Sequence, residues 1–136
     1  MRAHLATVAL LSLTLAACSS STGPSGPSVA GVWSGSWRGS TVQLALTQQG
    51  DRVSGSLRVG RLARPVTGTV AADGSVRIVS EVRQSDCSVY DTNALTLDQA
   101  AGTLSGLMFK STGQRVCDPA TGGRVGVEQG QLSLSR

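Results

Sequence analysis

The chain has few aromatic, histidine and cysteine residues and few charges. Its 136 residues include two Trp, one Tyr, one Phe, one His and three Cys. So few aromatics leave little with which to line a large specific pocket. The single histidine, His4, lies in an N-terminal segment that reads as removable. Without it, a Ser/His/Asp or Cys/His nucleophile and a histidine metal site are both excluded. Glutamate is nearly absent too. Glu81 and Glu128 are the only two, and Glu81 falls on the polar side of its expected strand, so no catalytic carboxylate pair is expected. We therefore expect a protein that is not an enzyme and that carries no cofactor and no metal. Asp86, Asp91 and Asp118 lack the spacing of a Ca²⁺ loop and read as turn residues. Basic residues outnumber acidic ones, 12 to 8, but they are scattered, which argues for a solvated surface rather than a nucleic-acid site.

No apolar run reaches the ~20 residues of a membrane-spanning helix. The longest, Leu5 to Ala17, follows Arg2 and ends in Leu15-Ala16-Ala17-Cys18. These residues resemble the signal segment and lipobox of bacterial lipoproteins. The resemblance implies cleavage before Cys18, lipidation of that cysteine with palmitate-type acyl chains, and firm attachment to a membrane of the cell envelope. Ser19 stands where the family's inner-membrane retention signal places Asp, which points to the outer membrane, on either its periplasmic or its outer face. Three segments follow: a signal peptide at 1–17, the lipidated Cys18 with a Ser/Gly/Pro linker at 18–28, and a folded domain at 29–136. The linker reaches roughly 17 Å as a coil. With Cys18 lipidated, Cys87 and Cys117 form an even pair in an oxidising compartment, and a disulfide between them is expected.

Within the domain no stretch keeps a helical period. Short alternating runs repeat instead, as in Thr41–Gln48, where Val42, Leu44 and Leu46 share one face. Eight strands are predicted, near 31–38, 41–48, 52–59, 65–71, 75–83, 93–98, 102–110 and 125–135. Short links between consecutive strands suggest an antiparallel up-and-down meander, closed into a barrel without free edges. The fold class is thus all-β. Gly35, Gly55, Gly68 and Gly106 fall on the apolar parity of their strands, where they would make room for the indoles and let the sheet coil. The longer links, 60–64, 84–92 and 111–123, gather at one end with both cysteines, and the N-terminus enters at the other.

Gly31-Val32-Trp33 at the start of such a meander resembles the G-x-W of lipocalins and the wider calycin group, which includes avidin-like barrels. The resemblance implies that Trp33 closes one end of the barrel, covered by a basic residue near the end of the last strand, here Arg136. Trp37 and Tyr90, with Arg61 and Arg64, are the candidate ligand-binding residues at the long-loop end. The leading expectation is a lipid-anchored binding module whose long-loop end takes a small, partly apolar or anionic ligand or an envelope protein. The alternative is an envelope accessory protein with a filled barrel and no ligand cavity.

Overall fold

In a computed structural model of the chain, residues 26–136 are described. The signal segment, Cys18 and most of the linker lie outside them. Eight strands follow one another: β1 (Gly31–Trp37), β2 (Ser40–Gln49), β3 (Arg52–Val59), β4 (Leu62–Val70), β5 (Ser75–Ser80), β6 (Ser88–Asp98), β7 (Thr103–Thr112) and β8 (Gly126–Ser135). A single helical turn, α1 (Gln114–Cys117), interrupts the last link. Each strand pairs antiparallel with the next, and β8 returns to β1, so the sheet closes into the expected eight-stranded barrel.

Alternation builds the interior. Trp33, Trp37, Val42, Leu44, Leu46, Val53, Leu57, Val66 and their counterparts on the later strands are all buried in one core. Burying each aliphatic side chain is worth about 1.5–3 kcal/mol. The closing seam is short: only Ser34–Trp37 pairs with Leu132–Ser135. At the end where the described chain starts, Gly50 and Asp51, 71–74 and 99–102 make tight turns.

The opposite end departs from the sequence reading in two places. The link read as 60–64 is only the two-residue turn Gly60–Arg61, and β4 begins at Leu62. The link read as 84–92 shrinks because β6 starts at Ser88, not near 93. Its first inward positions are Ser88, Tyr90 and Thr92, all buried, and the two small polar ones hide the alternation. A register shift between Thr92 and Leu95 then resets the parity. β5 correspondingly ends at Ser80, short of the expected 83.

The strand glycines serve strand approach rather than indole space. A Cβ at Gly35 would strike the carbonyl oxygen of Ser133, at Gly55 that of Ala45, and at Gly68 that of Arg77. At Gly106 it would come within 2.6 Å of Ala94 O. Gly130 is the one that lies against an indole: a Cβ there would come within 2.7 Å of Arg38 Cγ and 3.0 Å of Trp37 Nε1, so it makes room for both side chains.

The expected disulfide is present. Cys87, in the β5–β6 link, joins Cys117 at the end of α1, with the two Cα atoms 5.0 Å apart. It ties together the two longest loops of the barrel. Cys87 takes a left-handed backbone, φ 45°, and its carbonyl accepts the Gly113 N–H at 3.0 Å.

Candidate functional site: the two ends of the barrel

The end carrying the long loops is closed by side chains. Trp37, the last residue of β1, points inward and is 4% exposed. Its Nε1 donates to the carbonyls of Met108 and Gly130, both at 3.1 Å. The Tyr90 ring meets it edge-on, with centroids 5.7 Å apart and planes at 81°, a favourable aromatic geometry. Over Tyr90 lies the Arg64 guanidinium, 4.8 Å from the ring centroid.

Arg64 is 6% exposed, an unusual depth for a cation, and its partners explain how it is held there. Its Nη1 donates to Ser88 O at 3.0 Å and its Nη2 to Ser88 Oγ at 2.9 Å. Ser88 Oγ in turn donates to Asp86 Oδ1 at 2.6 Å. The Asp86 carboxylate also lies 4.0 Å from Arg64 Nη2 and 3.7 Å from Arg83 Nη1. The Ser88 hydroxyl, and then the positive charges of Arg83, Arg64 and Lys110, hold the Asp86 carboxyl below the usual carboxylate range. Burial pushes the Tyr90 phenol up, against the pull of Arg64. Arg64 Nε is buried and has no hydrogen-bond partner among the described residues.

Beneath this plug, the core side chains Leu44, Leu57, Ile78, Leu95, Met108 and Leu132 leave about 10 Å³ for an occupant. That is the room of about one water molecule. The interior is filled.

Trp33 fills the other end and is fully buried. Its Nε1 donates to Val29 O at 2.9 Å, and the Arg136 guanidinium stacks 4.3 Å from its ring centroid. Arg136 Nη2 donates to Ser28 O at 2.8 Å, while Val29 N–H donates to Gln48 Oε1 at 2.8 Å. Beside them an open, shallow groove of about 690 Å³ runs between Gly26–Ser28 and the turns at 72–74 and 98–99. Its two carboxylates are engaged in their own turns: Asp73 accepts from Ser75, and Asp98 from the Ala101 N–H.

Of the four candidates named for the long-loop end, the fold brings together Trp37, Tyr90 and Arg64. Arg61 sits apart, exposed on the β3–β4 turn. Sequence reasoning missed Ser88 and Asp86, whose hydrogen bonds orient Arg64, and Gly130, which admits Trp37. Three aspartates of this end are engaged separately: Asp86 as above, Asp91 with Arg77 at 3.0 Å, and Asp118 with the Ala120 N–H at 3.1 Å. Among the described residues no group of three or more Cys, His, Asp or Glu comes together. Nor is any helix among them long and apolar enough to cross a membrane.

No family model, curated protein or solved structure matches the chain.

Proposed function

We propose that this is a lipid-anchored, non-catalytic accessory protein of the bacterial cell envelope, acting through its outer surface on a filled barrel. The carrying observation is the interior, which has about 10 Å³ free beneath the Trp37–Tyr90–Arg64 plug. Small-molecule sites take about 300–1,000 Å³, so a partly apolar ligand gains no burial inside this barrel. The same architecture, with Arg136 stacked on Trp33 beside the first strand, favours a calycin-like origin for the domain. Attachment through Cys18 would hold the Trp33 end towards the membrane and leave the disulfide loops facing away.

Two measurements test this reading. Palmitate labelling should mark the wild-type chain and be lost in Cys18→Ser, with release from the membrane fraction. Titration of the tryptophan fluorescence, from Trp33 and Trp37 together, with fatty acids and other amphiphiles should give no saturable change. Saturable quenching would overturn the filled-scaffold reading, and an unlabelled wild type would overturn the anchor.

A further inference from the structure

Basic residues that are scattered along the chain are gathered by the fold. With Arg2 in the signal segment, residues 29–136 hold 11 of the 12 basic residues and all 8 acidic ones. Because the strands alternate in direction, the links 38–39, 60–61, 81–87 and 113–125 share one end of the barrel with the strand ends beside them. Eight of the 11 cations lie there with five of the eight carboxylates, Asp91 included. That end therefore carries the whole net charge of +3, and the remainder of the barrel carries none. Arg58, Arg61, Arg115 and Arg124 are exposed there, and none of them forms an ion pair among the described residues. Aliphatic side chains accompany the cations. Leu62 follows Arg61, Val82 precedes Arg83, and Val125 follows Arg124 with Val127 two residues on; all four aliphatics are exposed. The other large exposed apolar residues among those described, Val32 and Leu107, have no Arg beside them in sequence. Leu62 and Val82, with Arg64 and Arg83, also line a cleft of about 290 Å³. It opens where β5 stops at Ser80 and leaves Leu62–Arg64 without a strand partner on that side.

We infer that the long-loop end docks on an anionic phospholipid surface. Arginine meets phosphate oxygens with paired N–H donors, and aliphatic side chains at the same level enter the boundary between headgroups and acyl chains. A soluble polyanion would engage the arginines and leave Leu62, Val82, Val125 and Val127 in water, whereas a lipid surface uses both. The shape agrees. The end is closed by the Trp37–Tyr90–Arg64 plug and filled beneath it, which suits a flat surface rather than a ligand held inside. Cations in separate turns round the rim meet several headgroups at once, so individually weak contacts add. With the chain anchored through Cys18, the Trp33 end is tied to one membrane and this end meets a second. That direction rests on the proposed function, whereas the docking itself does not.

The test places the full chain in neutral phosphatidylcholine vesicles and scores, by co-flotation, the capture of a second, dye-labelled vesicle population. The expected result is capture of vesicles rich in phosphatidylglycerol and not of pure phosphatidylcholine, with capture falling as salt rises. Arg61→Gln/Arg124→Gln should cut it about thirtyfold, at roughly fivefold per arginine near the surface. Leu62→Ser/Val125→Ser should cut it about tenfold at every salt concentration, through lost apolar burial. These four positions are exposed and lie outside the core, and an unchanged thermal melt separates lost docking from lost folding. No capture, equal capture of neutral vesicles, or capture that Leu62→Ser/Val125→Ser leaves unchanged would each overturn the inference, the last by assigning this end to a soluble polyanion. A chain that the first vesicles fail to retain refutes the anchor alone. Direct sedimentation of that chain with the phosphatidylglycerol vesicles, read with the same variants, then decides the docking.

Discussion

Trp33 and Trp37 lie in one strand, share one face, and close opposite ends of the barrel. Their settings differ in strength. Trp33 is fully buried, donates to Val29 O and is covered by Arg136, so Trp33→Ala should cost about 3–5 kcal/mol in a denaturant titration. Arg136→Ala removes the covering cation and its hydrogen bond to Ser28 O, and should cost about 0.5–2 kcal/mol. If the two losses add in the double variant, the stacked contact carries nothing of its own. At the other end, pH reads the plug. The Asp86 carboxyl is held low by Ser88, so its contribution is present above the unfolded carboxylate range and lost as pH falls through its lowered folded value. Tyr90 has the opposite sense. Its phenol is held high by burial, so its contribution is present below pH ~10 and lost as pH rises through the folded value. Melting temperature against pH should fall at both extremes, and Asp86→Asn should flatten the acid limb.

At the scale of elements, the strands with apolar inward positions were legible in the sequence. Val42, Leu44 and Leu46 mark β2 without ambiguity, because alternation and burial are the same signal there. The plug was not legible as a unit. Arg64 falls in a stretch rich in turn residues, and only the pairing of Leu57 with Arg64 turns its side chain inward. Ser88 and Thr92 are small polar residues that the core accepts because they hydrogen-bond: Ser88 to Arg64, Thr92 Oγ1 to the Ile78 N–H at 2.8 Å. No one-dimensional pattern encodes such a pairing. The glycines were half-legible: their parity pointed inward, but what each makes room for, a neighbouring backbone or an indole, depends on the closed barrel. Among connections, the disulfide is the one most open to measurement. Cys87 and Cys117 are separated by 30 residues, and by the loop-entropy account their bridge adds roughly 3.5 kcal/mol. Unfolding with and without reductant, compared with Cys87→Ser/Cys117→Ser, should show that loss while the barrel core stays folded.

For the whole molecule, closure depends on a short seam. β1 meets β8 over four residue pairs, as few as β5 and β6 share across their bulge, whereas β7 and β8 share ten. Beyond the paired stretch, side chains take over: Arg38 Nη1 donates to Gln129 O at 3.0 Å, and Trp37 to Gly130 O. Native-state hydrogen exchange should therefore find lower protection in β1 and the Val127–Gln131 part of β8 than in β2, β3, β6 or β7. Uniform protection around the barrel would mean that the Trp37 and Arg38 contacts hold this seam as firmly as a ladder does.

The Arg136–Ser28 hydrogen bond carries a practical consequence for construction. Because the last strand finishes beside Ser28, three positions before the first strand, the order of the eight strands is cyclic, and its starting point is arbitrary. A short Gly/Ser bridge from Arg136 to Val29, with new termini opened in the exposed stretch at 118–123, rearranges the gene without asking any strand to change neighbours. Such a permutant would carry its ends on the far side of the barrel, upside down relative to the parent. A tether placed there would present to the outside the Trp33 end, which the proposed anchor at Cys18 would turn towards the membrane.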